Sequence, residues 1–187
     1  MAELNTKEFI QTFLIDDIGK MVELFPYHSF MVMATGIEFL GKCISNDKTW
    51  NEEGSRAKFD MAFDQLKAFE KYKAYYGKEK YDFYGQLRCG MSHSFAPKLA
   101  ITLSSKAEEP HLTEKEGRLN LRCEDFYQDF KTACEEVITK ETSLQEKFRA
   151  KFLAVPGGAT LLQTSGTPFQ YVPPSFKEDK GFSESAQ

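Results

Sequence analysis

Two successive apolar stripes at helical spacing constrain this chain more than any other feature. Ile10, Leu14, Ile18, Met21 and Phe25 recur at intervals of four, four, three and four, which places them along one face of an α-helix. Pro26 closes that helix, and Phe30, Met33, Ile37, Leu40 and Ile44 open a second with an equally clean face. Such stripes are stable only when buried against other elements, so a helix bundle is the economical solution. Asn5 with Glu8 three positions on forms a capping box for the first helix. Asn46 to Gly54 is polar and reads as a loop. Ser55 then caps a third helix with Phe59, Phe63 and Leu66 on its face, running to Tyr76 before Gly77. A fourth, from Lys78 to Met91, presents Tyr84, Leu87 and Met91 on one side.

The period then changes. Leu99, Ile101 and Leu103 alternate with smaller or polar residues, and Leu119 and Leu121 alternate between Arg118 and Arg122, which is strand periodicity. The two segments are expected to pair, with Ser105 to Gly117 between them as a loop or short helix. From Glu124 the helical beat returns through Phe126, Phe130 and Val137, and onward through Leu144, Phe148 and Phe152. After Val155 come Pro156, Gly157, Gly158 and a run rich in Ser, Thr, Gly and Pro. The expected fold is therefore mainly α: a bundle of about five helices over residues 1–154, with a small β-hairpin at about 98–122 inserted before the last long helix. Residues 155–187 form a Pro/Gly/Ser-rich C-terminal tail.

With 187 residues a chain buries roughly 70% of its unfolded surface and needs no disulfide or metal staple. Cys43, Cys89, Cys123 and Cys134 lack CxxC spacing, and three His do not complete a zinc site, so the thiols read as reduced and cytosolic. The segment Met1 to Gln11 carries Glu3, Lys7 and Glu8 and lacks a signal-peptide core. No apolar run approaches the ~20 residues of a membrane span. The expectation is a soluble, cytoplasmic protein that makes no membrane contact. A net charge of −4 excludes non-specific coating of nucleic acid, which needs clustered Lys and Arg. It leaves room for a local basic cleft.

Familiar catalytic signatures are missing: the chain has no Walker A loop, GxGxxG, GxSxG or HExxH. Neither a metal nor a cofactor is called for. Paired acids such as Asp16–Asp17, Glu52–Glu53 and Glu135–Glu136 read as solvated faces. What remains is the stretch from Tyr81 to His93, where Arg88 precedes His93 by five positions. A His can take a proton from a ribose 2′-OH or deliver one to the leaving 5′-oxygen near neutral pH. An Arg stays charged and can hold phosphate oxygens as negative charge builds. On a straight helix the two side chains lie about 140° apart with a rise of about 7.5 Å. Either Gly90 ends the helix and His93 folds back, or a two-fold axis brings His93 of one subunit near Arg88 of another.

The Arg88–His93 segment resembles the R-x4-6-H motif of the HEPN superfamily, helical-bundle proteins that include toxin and defence ribonucleases. The resemblance implies a metal-independent endoribonuclease acting as a homodimer, with His93 as acid or base and Arg88 as phosphate clamp, and with a neutralising protein partner among the expected partners. Lys67, Lys71, Lys73, Lys78 and Lys80, interleaved with aromatics that include Tyr81 and Tyr84, suit single-stranded RNA, whose bases stack on rings. Lys73, Lys78, Lys80, Tyr81 and Tyr84 are accordingly the expected substrate-binding residues. Two other readings stand beside this one. The same bundle could be catalytically silent and hold RNA, a nucleotide or a protein. Cys89 favours that reading, because many active members carry a polar residue after the Arg. It could also be purely structural, a dimeric or complex-forming helical protein whose Pro-rich tail docks on a neighbour, with Arg88 paired to an acid such as Asp82 and the aromatics serving as core.

Overall fold

The computed structural model describes residues 6–46, 54–77, 81–106 and 109–140. The expected tail, the extension of the last helix past residue 140, and Asn5 lie outside them. The first helical run spans residues 6–24 in three parts: α1 (Thr6–Phe9), a π-helical stretch (Ile10–Asp17) and α2 (Ile18–Leu24). Pro26 occupies the first turn of α3 (Pro26–Ile44), where its missing N–H costs no hydrogen bond. Then come α4 (Ser55–Gln65), a 3-10 segment (Lys67–Ala74), a π-helical stretch (Tyr84–Arg88) leading directly into α5 (Cys89–Ser94), and α6 (Cys123–Lys140). No helix among the described residues is long and apolar enough to cross a membrane.

Helix α3 is the spine, packing against α2, α4 and α6. Phe30, Met33, Ile37 and Leu40 of its predicted stripe are all buried. The first stripe behaves differently. Ile10, Leu14 and Ile18 are buried, but Phe25 is exposed, and Ile15 and Val22 fill the core instead. The π-helical stretch takes more residues per turn than an α-helix, so it rotates the later positions out of the phase that a regular spacing implies.

Where α3 meets α4 the backbones nearly touch: a Cβ on Gly41 would lie 1.7 Å from the carbonyl oxygen of Lys58. Beyond α4 the expected helix to Tyr76 breaks at Leu66, which turns extended (φ −85°, ψ 124°) and buries its side chain. The Glu136 carboxylate of α6 accepts the N–H groups of Lys67 and Ala68 at 2.9 and 3.4 Å, satisfying donors that the break exposes. The aromatic residues of this region are core. Phe63 stacks on Tyr76 with centroids 4.8 Å apart and meets Phe59, Phe69, Tyr72 and Phe83 at 4.6–5.7 Å.

The small sheet has the order β1–β3–β2, with β1 (Ile101–Ser104), β2 (Glu114–Lys115) and β3 (Arg118–Arg122). The two segments expected to pair do so, Ile101 opposite Leu119 and Leu103 opposite Leu121, but in parallel. The hairpin is β2–β3, closed by Glu116 and Gly117 at φ 50° and 75°, the positive-φ pair that a tight two-residue turn requires. Asn120, a polar residue between the two buried leucines, is buried as well. Its amide donates to Ser104 Oγ and to the carbonyls of Glu109 and Pro110 at 2.8–3.3 Å, so it ties the crossover loop to the sheet.

Candidate functional site

The site region begins at Asp82, whose carboxylate accepts the Gly85 N–H at 3.1 Å and starts the π-helical stretch that ends on Arg88. The helix continues through Gly90. It stops at Phe95, which adopts a left-handed conformation at φ 53°, so the expectation that Gly90 terminates the helix and folds His93 back is corrected. Gly90 serves another purpose: a Cβ there would come within 2.6 Å of the Ala96 carbonyl oxygen, so only Gly lets the chain return across the helix after Phe95. Lys98 N–H then donates to the Gln86 carbonyl at 2.9 Å, fixing that return.

Arg88 is half-buried and held by Glu38 of α3. Its Nη2 and Nε lie 2.8 and 3.1 Å from the same Glu38 oxygen, while Lys42 reaches the other carboxylate oxygen at 3.0 Å. Glu38 is only 7% exposed. Burial pushes its carboxyl up, but hydrogen bonds from Ser55 and Lys42, with the charges of Lys42 and Arg88, outweigh burial and hold it below the usual range. A guanidinium has five N–H donors. Two go to Glu38, and the other three have no acceptor among the described residues. Glu38 is thus shared between two cations, Arg88 and Lys42.

Tyr84 lies between two guanidiniums, with Arg56 at 5.2 Å and Arg88 at 5.7 Å from its ring centroid. Its hydroxyl is raised above the ordinary phenol range, first by burial and then by the neighbouring Cys89 thiol. Asp82 pairs with Arg56 at 2.8 Å rather than with Arg88. His93 stands exposed in the last turn of α5, and its imidazole has no hydrogen-bond partner among the described residues.

The remaining expected substrate-binding residues fare unevenly. Tyr81 is 1% exposed, which corrects its assignment as a stacking platform, because a buried ring presents no face to a base. Lys73 pairs with Glu70 at 2.7 Å and Lys71 with Asp129 at 2.8 Å, so neither of these two is an open cation. Lys78 and Lys80 lie outside the described residues.

Sequence reasoning missed Glu38 and Lys42. Their signal was an acid four positions before a base on a helix face otherwise apolar. It also missed a second polar cluster, buried beneath the crossover loop. His111 Nδ1 accepts the Arg122 N–H at 3.0 Å, its Nε2 lies 2.7 Å from the Tyr72 hydroxyl, and that hydroxyl donates to Asp129 at 2.6 Å. With a backbone donor aimed at Nδ1, the proton belongs on Nε2 and the ring is neutral. Burial, foremost, lowers His111 to about 4.

Comparison with known families, with curated proteins and with solved structures finds no match to this chain.

Proposed function

We propose that the chain is a HEPN-like, metal-independent endoribonuclease acting as a homodimer. The observation that carries this reading is the presence, on one continuous helical run, of the Arg88 guanidinium with three N–H donors unused among the described residues and of an exposed imidazole on His93. In this chemistry the ribose 2′-oxygen attacks the phosphorus, the bond to the 5′-oxygen breaks, and a 2′,3′-cyclic phosphate remains. His93 moves the proton, either from the 2′-OH or to the departing 5′-oxygen. Arg88, backed by Lys42 across Glu38, holds the phosphate oxygens as their charge grows. The π-helical stretch ending on Arg88 agrees with this reading, since such turns recur at functional sites. RNA contact along the 3-10 segment has less support, because Lys71 and Lys73 are spent on Asp129 and Glu70.

A specific observation favours a second reading. The Arg88 edge that lies on Glu38 is already satisfied, and only 19% of the Arg88 side chain is exposed. That arrangement suits a catalytically silent bundle that binds RNA, a nucleotide or a protein partner. The test is incubation of a mixed RNA pool with the purified full chain in EDTA, alongside His93→Ala. Cutting by the parent, with cyclic-phosphate ends and a loss of about 10²–10⁴-fold in the variant, is the expected result. A folded parent that leaves the pool intact overturns the nuclease reading and leaves the silent bundle.

A further inference from the structure

In the crossover loop between β1 and β2, residues 109–113 lie against the bundle. Pro110 and Thr113 are exposed and Leu112 is half-buried, whereas the His111 side chain is only 8% exposed. Its ring joins the loop to three elements. Nδ1 accepts the Arg122 N–H of β3 at 3.0 Å. Nε2 lies 2.7 Å from the Tyr72 hydroxyl of the 3-10 segment, which donates to Asp129 of α6 at 2.6 Å. With the proton on Nε2, donors run one way, from imidazole to phenol to carboxylate. The other ties are few. The Asn120 amide reaches the Glu109 and Pro110 carbonyls. The Leu112 N–H meets the Asn120 carbonyl, and the Asn120 N–H meets the Thr113 carbonyl. The Tyr75 hydroxyl reaches the Leu112 carbonyl at 3.3 Å.

The surroundings decide which part yields when this chain of donors is disturbed. Arg122 closes β3 and is paired with Ser104 of β1. Tyr72 meets Phe63, Phe69, Phe83 and Phe126 inside the core, with centroids 5.7–6.0 Å apart. Neither can retreat without breaking the sheet or the core. His111 sits on a loop, and its neighbour Leu112 is held at φ 59°, a conformation that a leucine adopts only against a steric penalty. Lifting the segment would relieve that strain. A proton on Nδ1 sets a hydrogen against the Arg122 N–H and places charge beside Lys71 and Arg122, which oppose it, and Asp129 and Asp125, which favour it. Asp129, the carboxylate 3.8 Å from the ring, is already engaged by Lys71 at 2.8 Å and by the Tyr72 hydroxyl.

We propose that residues 109–113 are an acid-released latch, in which protonation of His111 lifts the segment from Tyr72 and Asp129 while the helices stay folded. The opening is local because the bonds it breaks belong to the segment, whereas α3 keeps its packing against α2, α4 and α6. Its response to pH follows from linkage. The freed ring titrates at the ordinary 6.5 and the held ring at about 4. The open fraction therefore rises about 20-fold between pH 7 and pH 5. Lifting uncovers the Tyr72 hydroxyl and more of the Asp129 carboxylate. The device uses neither Arg88 nor His93 and stands whether or not the chain cuts RNA.

The test is hydrogen exchange of the full chain at pH 7 and pH 5, read by NMR at the amides of Leu112, Asn120 and Arg122. Each rate is divided by that of the same residue in an unfolded chain at the same pH. These amides donate to the Asn120 carbonyl, the Thr113 carbonyl and His111 Nδ1, so each is freed when the segment lifts. They are expected to exchange faster than the α3 amides from Met33 to Leu40. They should respond little to low urea, because a local opening exposes little surface, and should lose about 20-fold in protection at pH 5. In His111→Gln, whose amide does not titrate, that response should vanish. Equal protection and equal urea dependence for the three amides and for α3 would mean whole-molecule unfolding and overturn the latch. Protection indifferent to pH in the parent, or a variant that keeps the response, overturns it as well. Should His111→Gln fail to fold, the imidazole resonances of the parent decide. A ring that takes up its proton near pH 6.5 while the three amides stay protected refutes the latch, and a ring still neutral at pH 5 in the closed state supports it.

Discussion

His111 makes the stability of this protein depend on pH in a window where its carboxylates contribute little. Its side chain is 8% exposed, and both ring nitrogens are engaged, Nδ1 with the Arg122 N–H and Nε2 with the Tyr72 hydroxyl. Protonation would put a hydrogen on Nδ1, directly against that N–H, and would place a charge in a buried site. The folded value is about 4 against 6.5 for an ordinary His. Because the folded value is depressed, the unfolded chain takes up the proton first. The stabilisation is therefore present above about pH 6.5 and is lost as pH falls toward 4. The full difference is about 3 kcal/mol, of which about 2 kcal/mol falls between pH 7 and pH 5. The charged groups around the ring are Asp129 and Asp125, which favour protonation, and Lys71 and Arg122, which oppose it. Asp125 is held below the ordinary carboxylate value, first by its hydrogen bond from Arg122, so its own loss begins under this window. Urea unfolding followed by circular dichroism at pH 7, 6 and 5 should show the midpoint falling by about 1 M. In His111→Gln the parent's slope should largely vanish, at the expense of some stability at pH 7. A parent with equal midpoints at pH 7 and 5, or a variant with the parent's slope, would refute the reasoning.

Two further outcomes follow from the bundle. Glu38→Gln leaves Arg88 and Lys42 facing each other in a half-buried site, and should cost about 3 kcal/mol at pH 7, read as a fall in urea midpoint. Since the folded Glu38 carboxyl is lowered from 4.5, the variant should also lose part of the parent's acid sensitivity below that pH. Gly41→Ala drives a methyl into the Lys58 carbonyl and should cost about 3 kcal/mol or more, because two helix backbones must separate; urea unfolding of the parent and variant measures it.

The parts of the fold legible in the sequence were those whose signal is local. The α3 stripe from Phe30 to Leu40 is buried throughout, because an unbroken α-helix keeps its phase. The strand alternation at Ile101 and Leu119 located the sheet. The direction of pairing was not readable, because period-two alternation is the same in parallel and antiparallel strands. The break at Leu66 depends on Glu136, about seventy residues away, and no window around Leu66 contains that carboxylate. Arg88 and His93 could be named from their spacing and chemical types. Glu38, the residue that decides how Arg88 is presented, lies fifty positions earlier, so only the packing of α3 on the π-helical stretch brings the two together.

Phe25 shows how the end of a helix defeats a stripe read from spacing alone. By spacing it belongs with Ile10, Leu14 and Ile18 in the core. Val22 takes the buried position after Ile18, and Phe25, past the end of α2 at φ −138° and ψ 60°, leaves the helical path and emerges at the corner before Pro26. A sequence under selection for folding alone would replace a Phe left in water by a polar residue, at no cost to the core. Here the exposed Phe is joined by Leu24 and Tyr27 on its own corner and by a strained Phe95 on the next element, with a hydrogen bond between the two.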